Sequence, residues 1–204
     1  MPLFLIRHGE AENQVTDITG GWTNTELTKR GNLQAERVGT RLKELLNGAS
    51  CRIVSSDLKR ALHTAEAIGK VVEVKPEVYH GLREGNNGDA AWKTKAEAKQ
   101  MFIDPTEPLI DWCPYPNGES WRMLNARVVE VMNCIYESSG ENLVVVGHSG
   151  SLTHVIHWWL RIPEELIGGI NYRFDNAAIT VLSETDLCER TIERLNDAAH
   201  LTDL

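Results

Sequence analysis

Long apolar runs are missing from this chain. The opening MPLFLIRHGE turns to charge after a few residues, too soon for a secretory h-region and far short of the ~20 residues that cross a bilayer. Later apolar stretches, such as LVVV at 143–146, are equally brief. No membrane partner is expected, and a cytoplasmic location is. Cysteine is scarce and scattered: Cys51, Cys113, Cys134 and Cys188 form no CxxC pair, which removes the zinc-ribbon and thioredoxin readings and leaves no basis for a disulfide scaffold. Positive charge is in deficit, 21 Lys and Arg against 29 Asp and Glu, for a net charge of −8. Sequence-independent nucleic-acid binding needs a basic surface and is excluded. A small anion is not, because a local cluster of Arg and His can act inside an acidic shell.

What is present is an ordinary globular composition, 42% hydrophobic and 25% charged over 204 residues, enough for one sizeable core. Short apolar runs at Leu3–Ile6, Cys51–Ser55, Val71–Val74 and Leu143–Val146, with NAAITVLSE from Asn176 and RTIERL from Arg190, read as strands. The all-apolar LVVV has no polar side, so it predicts a central strand covered on both faces. Helical periodicity fills the gaps. One stripe runs Ala35, Val38, Leu42, Leu45 and Leu46 from about Thr28 to Asn47-Gly48. A second runs Leu58, Ala61, Ala65 and Ile68, with Asp57 suited to its N-cap. A third runs from Trp121 to about Gly140, and a fourth from Gly150 to Leu160.

Strands alternating with helices predict an α/β fold, a three-layer α/β/α sandwich on a mostly parallel sheet. One domain is expected over 1–204. Within it, the aperiodic, Gly-, Asn- and Pro-rich residues 85–117 read as a cap insertion with one short helix near Thr94–Phe102. Its Trp92, Phe102, Trp112 and Tyr115 suit either an aromatic lining for a site or packing of the insertion onto the domain.

The chemistry-bearing residues fall near strand ends. Arg7 and His8 end the first strand, Arg83 and Glu84 follow the third, and His148 ends the fourth. Arg60 lies one turn into the helix after the second. In an open α/β sheet the carboxyl ends of neighbouring strands converge on one crevice. Two guanidinium forks and helix-start N–H groups suit a phosphate or carboxylate. Two imidazoles can divide labour there, one attacking phosphorus and the other holding the transferring oxygens. A nearby Glu can protonate a leaving alkoxide. Taken singly, a strand-end His is more often a satisfied polar group than a catalyst; His63, His154 and His157, at helical spacing, are read that way.

The blocks LIRHGEAEN, LTKRG, SSDLKRALHTAEAI, LREGNNGD, PNGES, VVVGHSGSLTHVI and LNDAAHL resemble, in order and spacing, the histidine phosphatase superfamily with its phosphoglycerate mutase-like fold. The resemblance implies a metal-independent enzyme with His8 as phosphorylated nucleophile, Arg7, Arg60 and His148 around the phosphoryl oxygens, and Glu84 as proton donor. No metal or other cofactor is implied, because Arg and His supply the positive charge. The partner implied is a small phosphomonoester; oligomeric state is not legible. Relatives often place an Asn six residues after the nucleophile and a Gln two before the Trp. Here Gln14 and Gly20 hold those places, with Asn13 one position early, so Asn13 and Gln14 both stand as candidate phosphate contacts. Ser149 replaces a usual Gly and adds a hydroxyl. The short cap favours a phosphatase over a mutase.

Two further readings come from other classes. GHSGS nearly matches the nucleophile elbow of α/β-hydrolases, with Ser149 attacking and His200 downstream; that leaves Arg7, His8 and Arg60 without a role. A non-catalytic phosphate-binding module would retain none of the need for all five core residues. Gly9 is expected to let the backbone turn close to the anion.

Overall fold

The computed structural model describes residues 2–137 and 140–204. Strands β1 (Leu3–Arg7), β2 (Cys51–Ser55), β3 (Glu77–Val78), β4 (Asn142–Gly147), β5 (Ile179–Glu184) and β6 (Arg190–Asp197) form one sheet in the order β3-β2-β4-β1-β5-β6. The first four are parallel; β5 runs antiparallel to β1, and β6 antiparallel to β5.

Strand alternation sorts the core onto two faces. Leu3, Leu5, Leu143 and Val145 pack on one side with helices α5 (Trp121–Glu137) and α6 (Ser149–Leu160). Phe4, Ile6, Val144 and Val146 pack on the other with α2 (Lys29–Leu46) and α3 (Lys59–Val72). The fully apolar 143–146 run is thus the buried centre its sequence predicts, at roughly 1.5–3 kcal/mol per buried side chain. Three layers result. The remaining helices are short: α1 (Glu12–Val15), α4 (Lys95–Met101) and α7 (Glu164–Ile167).

Helix α2 begins where its N-cap predicts, with Thr28 Oγ1 accepting from the Gly31 N–H at 3.0 Å. It ends on Asn47 in the left-handed region, φ 45°. The expected end of α5 near Gly140 adjoins residues 138–139, which lie outside the described residues. Two expectations fail. Val71–Val74 is not a strand: Val71 and Val72 complete α3, and the strand is the later Glu77–Val78. A β-branched run reads as a strand locally, but packing against α2, where Val71 meets Gly39, keeps it helical. Nor does Asp57 cap α3. Leu58 holds the cap, while the Asp57 carboxylate takes both prongs of the Arg83 guanidinium at 2.7 and 2.6 Å.

Within residues 85–117 the expected helix is α4, capped by Thr94. The segment packs on the loop that follows α1: the Thr19 N–H donates to the Lys93 carbonyl at 3.0 Å, and the Trp22 N–H to Asn87 Oδ1 at 3.1 Å. No described helix is long and apolar enough to cross a membrane.

Candidate active site

The parallel register places the site. Arg7 pairs with Gly147 across β1 and β4, and Ser55 with Val146 across β2 and β4, so the chain leaves three adjacent strands at one level. His8, Ser56 and His148 are the next residues out, all buried. The His8 and His148 ring centroids are 5.0 Å apart. Ser56 Oγ meets His148 Nε2 at 2.9 Å.

His8 is held in one tautomer. Its Nδ1 lies 2.7 Å from the Gly9 carbonyl, an acceptor only, so Nδ1 carries the proton and Nε2 the lone pair. Arg60 Nε donates to that Nε2 at 3.2 Å. The rest of the Arg60 fork donates to the Thr23 and Gly21 carbonyls, both at 2.7 Å, so the loop after α1 fixes the guanidinium over His8. Asn176 Nδ2 and the Ala177 N–H donate to the His8 carbonyl from the other side, at 3.0 and 3.3 Å. Arg7 Nη1 donates to the Phe174 carbonyl at 2.5 Å.

Burial shapes the charges. It pushes both imidazoles well below their ordinary range, with the Arg60 guanidinium the next largest cause in each case. Both are therefore neutral near pH 7. Burial also lowers Arg7, and brings Arg60 down to about 10, still protonated. Arg7 Nε and His148 Nδ1 are buried without a hydrogen-bond partner, an uncommon and costly condition that an anion's oxygens would relieve.

Glu84 sits opposite. Its Oε1 accepts from the Gly85 N–H at 2.9 Å and its Oε2 from the Gly150 N–H at 3.2 Å, at the start of α6. A Cβ on residue 150 would fall 2.2 Å from Glu84 Oε1, so glycine there is what lets the carboxylate lie against the helix. Arg127 holds the loop from behind, donating to the carbonyls of Gly81, Arg83 and Glu84 at 2.9, 2.7 and 2.7 Å. Trp22 Nε1 donates to the Glu84 carbonyl at 2.6 Å, and the Arg83 guanidinium stacks 4.8 Å from the Trp22 ring centre.

A cleft of about 800 Å³ opens above, lined by Glu84, Ser149, Asn13 and Gln14 among others. It stops short of His8, Arg60 and His148, which lie beneath at 4, 2 and 0% exposure. The structure thus brings together Arg7, His8, Arg60 and His148, with Glu84 and Ser149 at the mouth. Asn13 is buried, its Oδ1 taken by the Thr25 hydroxyl at 2.8 Å. Gln14 bonds Asn176 through both ends of its amide and accepts from the Ala11 N–H, so it braces His8 through Asn176, with its second amide N–H left over at the cleft. Gly9 has a packing reason. A Cβ there would lie 2.4 Å from the Gly31 carbonyl, so the close approach of α2 by itself requires glycine. His200 Nε2 hydrogen-bonds the Ala177 carbonyl at 3.0 Å. Of the four cap aromatics only Tyr115 lines the cleft; Trp92 is 60% exposed, and Phe102 packs edge-on to Trp112 and Tyr115.

Sequence reasoning missed Ser56, Arg127 and the carbonyl clamp of Gly21 and Thr23. None had a local signal: a serine, a mid-helix arginine and two backbone carbonyls are unremarkable until folded together.

Residues 3–198 match the family model of the histidine phosphatase superfamily (branch 1). The chain belongs to that superfamily. A relative from Salmonella typhimurium, an adenosylcobalamin/alpha-ribazole phosphatase, is 28% identical over 98% of each chain. A 2,3-bisphosphoglycerate-dependent phosphoglycerate mutase from Nitrobacter hamburgensis is 31% identical over 91% of this chain and 97% of its own. Among solved structures, the mycobacterial glucosyl-3-phosphoglycerate phosphatase in complex with VO3 superposes with a TM-score of 0.81, at 26% identity, covering 97% of this chain and 99% of the other. Superfamily members of this kind are phosphatases and mutases, so the chain is an enzyme of a phosphatase and mutase superfamily.

Proposed function

We propose that the protein is a phosphomonoesterase working through a phosphohistidine at His8. The observation that carries this reading is the neutral, tautomer-fixed His8 imidazole, its Nε2 3.2 Å from Arg60 Nε and its ring 5.0 Å from His148. The reaction runs in two balanced halves. His8 Nε2 forms a bond to phosphorus as the bond to the ester oxygen breaks, and Glu84 gives its proton to that oxygen. Water then gives a proton to the Glu84 carboxylate and attacks phosphorus, and the electron pair of the N–P bond returns to Nε2. Arg60 transfers its Nε hydrogen bond from the lone pair of His8 to a phosphoryl oxygen. Arg7 Nε and His148 Nδ1, otherwise unpartnered, take the others; such donors aimed at developing charge supply most of the acceleration. Ser149, at the start of α6, and Asn13 contribute at the mouth.

The second reading, phosphoglycerate mutase chemistry, is favoured by the mutase relative and differs only in the fate of the phosphohistidine: transfer to another hydroxyl rather than to water. Incubation with a phosphomonoester in EDTA tests both. An acid-labile, alkali-stable label on His8, lost to water with release of inorganic phosphate, is the expected outcome. A label that persists in His8→Ala overturns the assignment; release only on adding an acceptor phosphoglycerate makes the protein a mutase.

A further inference from the structure

The cleft extends well past the groups that would meet phosphorus. Helix α6 leads away from Glu84, and Gly150, Thr153, His154 and His157 all line the cleft. Spacings of three and four residues put them on one helix face. At 1.5 Å per residue, His157 lies ~10 Å beyond Gly150. That is the length of a nucleoside rather than of a three-carbon acid.

This outer lobe carries almost no charge that could receive an anion. Burial brings His154 down to about 3 and lowers His157, so both are neutral near pH 7. Lys95 is the one ammonium or guanidinium among the described lining residues; it is exposed and donates to the Thr16 carbonyl at 3.2 Å. Glu119 also lines the cleft and is held bidentate by Arg127, at 2.8 Å on each oxygen. The Arg127 guanidinium is thereby spent on Glu119, which leaves a carboxylate on the leaving group no cation in the lobe but Lys95.

The lobe is instead built for neutral hydrogen bonds beside apolar surface. His154 is only 2% exposed, and its Nδ1 lies 3.1 Å from Asn125 Oδ1. An amide oxygen accepts, so Nδ1 carries the proton and Nε2 is left as an acceptor at the cleft. His157, also 2% exposed, has both ring nitrogens buried without a well-formed hydrogen bond, although the Ile170 carbonyl lies close enough to favour a proton on its side. Trp121, 6.3 Å from His154 between ring centres, and Ile170 supply the apolar part. Asn171 Oδ1 is taken by the Thr153 hydroxyl and the Tyr172 N–H, which leaves its amide N–H groups as donors.

We infer that this lobe selects an uncharged, hydroxyl-bearing alcohol with a flat apolar portion, of nucleoside size, whose hydroxyl donates to His154 Nε2. The inference rests on the phosphatase reading for its consequences in turnover, but not for its consequences in binding. A neutral acceptor rewards a hydroxyl and offers a carboxylate nothing, since both would be lone pairs facing each other.

Two measurements test it separately from the reading it rests on. Binding to His8→Ala is measured by calorimetry for adenosine 5′-monophosphate, glycerol 3-phosphate and 3-phosphoglycerate. The nucleotide is expected to bind about tenfold tighter than glycerol 3-phosphate, and 3-phosphoglycerate at least tenfold weaker than glycerol 3-phosphate, from which it differs by a carboxylate in place of a hydroxymethyl group. In the second, His154→Leu is expected to raise KM for the nucleotide about tenfold while leaving 3-phosphoglycerate unimproved or slightly better, and His154→Gln, which keeps an acceptor, to recover part of the loss. Equal binding of glycerol 3-phosphate and 3-phosphoglycerate, or equal losses on every substrate in His154→Leu, overturns the inference. Failure of the wild-type chain to hydrolyse p-nitrophenyl phosphate strikes the phosphatase reading instead, and leaves the binding result to decide this one.

Discussion

The buried floor and the cleft above it are built from opposite materials. The floor is charged, buried and over-determined: Arg60 is fixed by two carbonyls and an imidazole, and the His8 carbonyl is held from β5's side by Asn176 and Ala177. The outer lobe presents mainly uncharged groups, drawn from one face of α6, Trp121 of α5 and the edge of residues 85–117, with Lys95 its one cation and Glu119 already paired with Arg127. The difference teaches a division of tasks. Preorganised donors serve a charge that develops the same way in every phosphomonoester, whereas a neutral lobe with spare acceptors discriminates among leaving groups that differ by one polar atom.

The sharpest break is at the floor. His8→Ala is expected to lower phosphomonoester turnover on the order of 10⁴-fold or more, whatever the leaving group, read as kcat in a malachite-green assay. An effect that varied strongly between substrates would mean the floor and lobe are not separate functions.

Glu84 sits between them and should respond to the leaving group. With alkyl phosphates Glu84→Gln is expected to cost roughly 10²-fold or more, and with p-nitrophenyl phosphate far less, because nitrophenolate departs without a proton. Equal losses on both would remove Glu84 from the role of acid.

Arg127 tests the support behind the mouth. It and Glu119 are 16% and 11% exposed as side chains, so Arg127→Met leaves a nearly buried carboxylate without its cation and the Gly81 and Arg83 carbonyls without its donors, the Glu84 carbonyl keeping Trp22. A loss of about 3 kcal/mol is expected, measured by urea denaturation, with kcat on alkyl phosphates falling as Glu84 loosens. A variant as stable as the wild type would show that the loop stands without it.

The most gradual effect is set by pH. Unfolded imidazoles take a proton near 6.5, while His154 resists protonation until about 3, and His8 and His148 are shifted the same way. Between those values the unfolded state binds more protons, so stability is full above pH 6.5 and falls as the pH drops. The slope is up to about 1.4 kcal/mol per pH unit for each such histidine. His154→Leu should flatten the slope between pH 6 and 4 in denaturation midpoints; an unchanged slope would place the lost protons elsewhere.

How far the residues could be read in advance follows the same boundary. β1 and β4 were legible as apolar runs ending in RHG and GHS, because parallel strands in register carry their terminal residues to one level. Val71–Val74 misled for a physical reason: its β-branched composition suits a strand, yet Val71 and Val72 form the last turn of α3, where Val71 packs against Gly39 of α2. Gln14 stands in the place of a phosphate contact, and what its neighbours could not say is that it also braces Asn176, a partner 162 residues away. His154 and His157 looked like ordinary helical histidines, and are buried ones; what their periodicity could not say is that their face of α6 forms the wall of a cleft.

The sequence by itself determined the layers, the parallel centre of the sheet, the family and the two arginines and two histidines that gather at the strand ends, since these depend on local pattern and register. Only the tertiary structure decided which nitrogen of His8 keeps its lone pair, where the Arg60 fork is held, and that the histidines of the outer lobe are neutral. Those properties depend on burial and on backbone carbonyls from distant segments, and neither is written in any stretch of neighbouring residues.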